Sequence, residues 1–220
     1  AGIADRVDGW VHDGRLYLRV VDYKTGRKSF SLGDVYYGLG MQMLLYLFTL
    51  TGHDGGRGGM ERVPAGVLYI PARDPIVNAD ADMSDEEIAK KRREGLVRSG
   101  LLLDDAEVLH AMERGDSPVR IPVKWKDGVP TGSALASAEH LGLLARRVED
   151  TLRAIAGEIH SGSIQADPCY RSARDNACLW CDYAHACRFA DGENGDRRRY
   201  LPSLKAERVW ELLEGDETDG

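Results

Sequence analysis

No apolar stretch in this 220-residue chain is long enough to cross a bilayer. The longest, Met41 to Leu50, is interrupted by Gln42 and falls far short of the roughly 20 residues a spanning helix needs. The chain also lacks a secretory signal pattern, internal repeats and low-complexity tracts, so a cytoplasmic globular protein is expected. It lacks G-x-x-x-x-G-K-[ST], which excludes nucleotide binding through a P-loop within this chain. A basic excess is missing too: the net charge is −7, the wrong sign for a surface that binds phosphate throughout. That deficit is local. Residues 80–116 hold 11 acids and 6 bases, and residues 207–220 hold 6 acids and 1 base. Each segment carries −5, which leaves +3 for the rest. Charge alone neither supports nor excludes DNA. Cysteine is absent until Cys169, and all four (Cys169, Cys178, Cys181 and Cys187) then fall within 19 residues. In a chain of this size without a secretory signal, such a cluster points to a metal or redox site rather than to disulfides.

What is present reads as an alternation of strands and helices. Gly2–Val11 and Arg15–Tyr23 are strand-like and joined by Asp13-Gly14, a strong hairpin turn. A helix is expected from Leu32 to about Thr51, buried on most sides after Met41. A glycine-rich loop over 53–61 and a central strand Ala65–Pro71 follow. Residues 80–100 predict a charged, exposed helix starting near Ser84, with Glu87 completing a capping box. Then come a short helix at Asp104–Glu113, an edge strand at Val119–Trp125 beside Pro118 and Pro122, and a long helix from Ser133 to Ser161. The cysteine segment precedes a last amphipathic helix near Leu204–Leu213 and a frayed end at Glu214–Gly220.

Chemistry concentrates on the hairpin. Side chains two apart on a strand share a face, so Asp22 and Lys24 project together and Tyr23 points away. In a suitable register Asp5 faces the same spot from the neighbouring strand. Two carboxylates and the Tyr23 backbone carbonyl form a hard-oxygen set suited to Mg²⁺ or Mn²⁺. An adjacent ammonium can orient water or stabilise charge developing on phosphorus. The bland alternative is an exposed hairpin with a polar side. Gln42 stands in the apolar run Met41–Leu47 with Tyr46 four residues on, which places both polar heads on one helical face. The alternative there is a core glutamine bonded to backbone.

Taken together, Gly2-Ile3-Ala4-Asp5-Arg6-Val7-Asp8, Val21-Asp22-Tyr23-Lys24-Thr25-Gly26 and Gln42-Met43-Leu44-Leu45-Tyr46 resemble the G-x-x-D, D-Y-K and Q-x-x-x-Y motifs of RecB-family nucleases in the PD-(D/E)xK superfamily. The likeness is strongest to the nuclease domain of AddB-type helicase–nuclease subunits, and Leu101–Asp105 and the cysteine tail share it. The resemblance implies an α/β fold, a restriction-endonuclease-like mixed sheet flanked by helices with a cysteine-bearing C-terminal appendage. The nuclease core would span residues 1–165 and the cysteine segment residues 166–220. It implies metal-dependent exonucleolytic cleavage of DNA in double-strand-break repair, with an AddA-type partner subunit. It assigns Asp5 and Asp22 as metal ligands and Lys24 as the catalytic lysine, and makes Gln42 and Tyr46 the supporting helix motif. Asp8 takes a supporting role. Family members often carry a histidine-bearing helix before the G-x-x-D strand. None of His12, His53, His110, His140, His160 or His185 stands there, so the chain reads as a piece of a longer protein.

Cys178-x-x-Cys181 with Cys187 suits either a [4Fe–4S] cluster or zinc on chemical grounds. The family's C-x-x-C-x5-C tail implies iron–sulfur, with a fourth cysteine far upstream and absent from this chain; Cys169 is a candidate substitute ligand with no role in that pattern, so the cluster is expected to be incomplete or absent in this chain. Arg171, Arg174, Arg188 and Arg197–Arg199 are either phosphate contacts or a solvated basic surface. Three rivals share parts of the pattern. A stand-alone or CRISPR-associated RecB-like nuclease shares the chemistry. A non-catalytic DNA-binding scaffold shares the fold, and a zinc interaction module shares the cysteines.

Overall fold

The computed structural model describes the whole chain except residues 1, 27, 53–58, 81, 114–118, 194 and 219–220. A hairpin of β1 (Arg6–His12) and β2 (Arg15–Lys24) opens the fold, turned by Asp13 and Gly14, both at positive φ (47° and 74°). Residues facing each other across the hairpin sum to 27, from Arg6 opposite Val21 to His12 opposite Arg15. The expected helix over Leu32–Thr51 is two helices, α1 (Leu32–Tyr36) and α2 (Gln42–Gly52). Gly38 and Gly40, at φ 83° and 66°, adopt the left-handed conformation that ends a helix. Part of the expected glycine loop, residues 53–58, lies outside the described residues.

Strand β3 (Glu61–Pro71) lies parallel to β2 and is central, as the sequence indicates, but begins earlier. Its register shifts between Leu18 and Arg19, where Ala65 forms the extra residue and Pro64 is tolerated. Gly66 follows at φ 134°, and any β-carbon there would run into the Leu101 carbonyl.

Helix α3 (Asp85–Gly95) carries the expected Ser84–Glu87 capping box and buries nothing. Next come β4 (Ser99–Leu103), a strand that begins where the charged helix was expected to end, and α4 (Ala106–Met112). The expected edge strand at Val119–Trp125 is not formed. The backbone N–H groups of Val119, Arg120 and Ile121 donate instead to the Glu113 carboxylate at 2.9–3.2 Å, and only β5 (Lys124–Lys126) pairs, with β6 (Val129–Thr131). Strand β7 (Leu135–Ala136) joins β4 before Ser137 caps α5 (Ala138–Ser161), so the long helix starts later than expected. The tail holds β8 (Cys169–Ser172), β9 (Asp175–Asn176), α6 (Ala184–Cys187) and β10 (Arg199–Tyr200). Helix α7 (Ala206–Thr218) then stays helical through residues expected to fray.

The main sheet runs β1-β2-β3-β4-β7 with parallel and antiparallel neighbours. One face presents Val20, Val67, Tyr69, Leu101 and Leu103 to α2, α5 and α7, whose Leu44, Leu47, Leu144, Val209 and Leu213 are buried with them. The other presents Val21, Leu68 and Leu102 to Leu109 of α4 and to Ile121 and Val123. This is the helix-flanked mixed α/β sheet anticipated from the sequence. No helix among the described residues is long and apolar enough to cross a membrane.

Candidate active site

The hairpin register extends naturally to Asp5, whose facing position is Asp22. Asp22 lies on the α2 side of the sheet with Val20, at the end where β2 and β3 terminate, and Asp5, in the segment just before β1, would share that face if the pairing ran one residue further. Asp5 Oδ2 accepts the Tyr23 backbone N–H at 3.0 Å, which ties the segment before β1 to the end of β2. Lys24 Nζ lies 2.6 Å from Asp22 Oδ2 as an ion pair, and that oxygen is buried with no hydrogen-bond partner of proper geometry. Pairing with Asp22 raises the Lys24 pKa above its ordinary value, against the opposing effect of burial, and the nearby Tyr69 and Asp5 add to the rise. Lys24 is therefore a cation across the physiological range. Its chemistry is to donate hydrogen bonds and oppose negative charge, not to take protons.

The donor set fits a hard divalent cation. Asp5 and Asp22 stand at the same end of the hairpin, and Asp22 holds a buried oxygen short of hydrogen-bond partners. Among the described residues no three His, Cys, Asp or Glu side chains come together as a metal-holding group, so the Tyr23 carbonyl or solvent would complete the shell.

Gln42 is the first residue of α2 and is exposed, not enclosed in apolar surroundings as its sequence neighbours suggest. The helix break at Gly38–Gly40 puts it at an end, where an amide needs no buried partner. Its Nε2 donates to the Tyr46 hydroxyl at 3.0 Å. Tyr46 in turn closes on Gly2, where a β-carbon would stand 2.6 Å from the hydroxyl oxygen. Gly2, three residues before Asp5, thus leaves room for the Tyr46 ring, and α2 is seated against the segment that carries Asp5. Asp8 lies on the opposite face of the hairpin, where it accepts from Arg19 Nη2 at 2.5 Å and Arg6 Nε at 2.6 Å. Any support it gives passes through the strands.

None of the sequence motifs marks Tyr69. It sits beside Asp22 on the parallel strand β3, with Lys24 Nζ 5.8 Å from its ring centre, and burial above all raises its pKa. The available signal is one polar aromatic in the apolar run Ala65–Pro71. Beyond Lys24 opens a cleft of about 710 Å³, lined by Lys28, Arg73, Asp74 and Glu94 among others.

Cys178, Cys181 and Cys187 are exposed, and Cys169 is half-buried. Cys169 and Cys178 line one small cavity of about 260 Å³ with Arg198, while Cys181 and Cys187 do not border it. Among the described residues, the three cysteines of the C-x-x-C-x5-C pattern do not converge as a metal-binding group. Most of the flanking arginines have acidic partners. Arg171 pairs with Asp34 and Asp175, Arg197 and Arg199 with Asp167, and Arg198 with Asp191.

Residues 1–188 match the model of the PD-(D/E)XK nuclease superfamily. Over 217 residues the chain is 36% identical to the B subunit of the ATP-dependent helicase/deoxyribonuclease of Clostridium botulinum strain Hall, a match that covers 96% of this chain and 19% of that protein. Proteins of the same name from Thermoanaerobacter sp. strain X514 and Clostridium perfringens strain ATCC 13124 are each 34% identical, over 99% and 100% of this chain and 20% of their own length. The chain therefore spans about a fifth of the length of these curated relatives.

Proposed function

Because this chain belongs to the PD-(D/E)XK nuclease superfamily, we propose that it is the metal-dependent, exonucleolytic DNA-cleaving domain of a helicase–nuclease subunit acting in double-strand-break repair and recombination. The observation that carries the reading is the pairing of Asp22 with Lys24 at the end of β2, with the Asp5 carboxylate bound to the Tyr23 backbone N–H between them in sequence. Asp5, Asp22 and the Tyr23 carbonyl would hold Mg²⁺ or Mn²⁺, which supplies an acidified water and screens the scissile phosphate. Lys24 stands ready to donate to a non-bridging phosphate oxygen and to oppose the charge that develops there. Tyr69 walls the site beneath Lys24. Gln42 and Tyr46 fix α2 against the Asp5 segment, and Asp8 supports the hairpin from behind. The cleft beyond Lys24 takes the strand being cut.

The nuclease core of this reading is residues 1–165, and the cysteine segment 166–220 returns to it through α7. The likeness to the helicase/deoxyribonuclease relatives supports an AddA-type partner and a cytoplasmic protein. Cys178, Cys181 and Cys187 would carry a [4Fe–4S] cluster in the full-length protein, a point that iron and sulfide analysis of that protein decides.

The test is degradation of end-labelled linear DNA with Mg²⁺ or Mn²⁺, comparing this chain with Lys24→Ala. Cleavage lost in the variant, and in the wild type on chelation, is the expected result. Equal cleavage by both proteins would overturn the role of Lys24.

A further inference from the structure

The face of the hairpin turned away from the carboxylates carries a second cluster with its own chemistry. Arg6, Asp8, Trp10 and His12 share one face of β1, exposed at Arg6 and half-buried at the other three, with Arg19 and the buried Tyr17 opposite Asp8 and Trp10 on β2. Arg98 and Arg120 stand on the far side of the last turn of α4, bordering a cavity of about 390 Å³ with Met112 and Glu113. Around Asp8 and Glu113 four guanidiniums therefore face two carboxylates, while Glu107 and Asp13 pair with His12 further along, in a chain whose overall charge is −7.

Both carboxylates are already engaged. Asp8 holds Arg6 and Arg19, and Glu113 holds three backbone N–H groups. Arg19 Nη1 is buried without a hydrogen-bond partner, and Arg98 forms no ion pair among the described residues. Burial and then the charge of Arg19 lower the Arg98 pKa, with Arg120 and Arg6 adding to this against Glu113. Like charges gathered this way lack an anion.

Beside the arginines lie stacking surfaces. Trp10 and His12 are parallel at 4.5 Å, and His110 and Trp125 at 4.3 Å. A cavity of about 470 Å³ opens between Trp10, His12, Glu107 and His110. Guanidiniums that track a backbone, interleaved with flat rings that accept any base, are the two ingredients of single-strand recognition.

We propose that this outer face, from Arg98 and Arg120 past the end of α4 to His110 and Trp10, binds single-stranded DNA as a secondary site on the side of the sheet away from the cleavage centre. Phosphates sit on the arginines and bases stack at the two aromatic–imidazole pairs. The inference takes its ligand class, DNA, from the nuclease reading and otherwise stands on this face alone.

The experiment is fluorescence anisotropy of a labelled 20-nucleotide oligothymidylate, without divalent metal, across a salt series. It compares wild type, Arg120→Gln, Arg98→Gln with Arg120→Gln, and His110→Ala, each checked for folding by circular dichroism. Each arginine lost is expected to flatten the slope of log affinity against log salt by about 0.7–1. His110→Ala is expected to weaken binding about 5- to 100-fold and to act on single strands more than on duplex. Arg120 is exposed, so its variant keeps the test open if the double variant fails to fold. An unchanged slope in folded Arg120→Gln, or equal effects of His110→Ala on both DNA forms, would overturn the proposal. Binding is read without metal. Absent cleavage would therefore sink the nuclease reading alone, and insensitive binding would sink this one alone.

Discussion

Two residues, Glu113 at the end of α4 and Gly2 ahead of β1, show how much one position can settle. Burial pushes the Glu113 pKa up, but hydrogen bonds from Ile121, Val119 and Arg120 outweigh it, and the group ends below its ordinary 4.5. A depressed acid stabilises the fold above its unfolded value, and that contribution is lost as pH falls through the folded value. Glu113→Gln should cost about 1–3 kcal/mol at neutral pH, since the donors of 119–121 lose a charged acceptor. It should also flatten the acid limb of stability below about pH 4.5, read by urea unfolding across pH; a limb as steep as the wild type's would contradict this. Gly2 presents the reverse case, a residue whose value is absent volume. Gly2→Val displaces the Tyr46 ring and with it the seating of Asp5, for an expected loss of roughly 10- to 100-fold in cleavage. Its melting temperature should barely move, because the contact lies at the periphery of the core. Tyr46→Phe removes only an exposed hydrogen bond and should cost under about 0.5 kcal/mol.

At the level of elements, α3 and α7 differ in what their helicity depends on. Helix α3 has a complete capping box, acids in its first turn and Arg92 and Arg93 in its last, but no buried side chain. Its order is local. Ser84→Ala should cost about 1 kcal/mol of helix stability, seen as faster amide exchange across residues 85–95 with an unchanged global transition. A matching drop in the global transition would show that α3 is coupled to the core. Helix α7 places Val209 and Leu213 in the main core, so Leu213→Ala should lower global stability by about 2–5 kcal/mol in denaturant unfolding. These roles explain what the sequence reveals. The capping box is legible because it depends on residues three apart, and the hairpin because Asp13-Gly14 demands positive φ. The break in the helix after Tyr36 is written in Gly38 and Gly40, but an apolar run on either side hides it. Strand β4 is hidden for a different reason. Ser99–Leu103 is too short for its period to be seen, and its strand character comes from Val67 and Leu68 alongside. Residues 119–123 look like a strand by composition and are diverted by the Glu113 carboxylate.

Across the whole molecule, the sheet separates two kinds of surface. The face with Asp22 and Lys24 meets α2, α5 and α7, and the face with Asp8 and Arg19 meets α4. Sequence motifs locate the first because its residues are few, polar and fixed in order along the chain. They do not locate the second, whose members come from β1, β2, α4 and the segments around residues 98 and 120, and meet only after folding. The Asp8 assignment shows the boundary. Its motif neighbour Asp5 lies three positions earlier, in the segment just before β1, and is tied to the Tyr23 backbone, while Asp8 on the strand turns to Arg19 and Arg6. Gln42 likewise matches by spacing, but its exposure depends on where α2 begins.

The turn at Asp13-Gly14 acts on the hairpin as a start signal acts on a reading frame. Every residue from 6 to 12 meets the partner whose number completes 27, and the proposed metal site lies just past the last pair, Arg6 and Val21, as far from the turn as the hairpin extends. Removing one turn residue would leave the order of every strand residue intact yet shift the frame by one. Asp22 would then face Arg6 or Ala4 in place of Asp5, exchanging a proposed ligand for a cation or a methyl group. On the proposed reading, a deletion at the opposite end of the hairpin from Lys24 would thus silence the site without touching any of its side chains. Restoring one residue to the turn, whatever its identity beyond tolerance for positive φ, would bring the frame back.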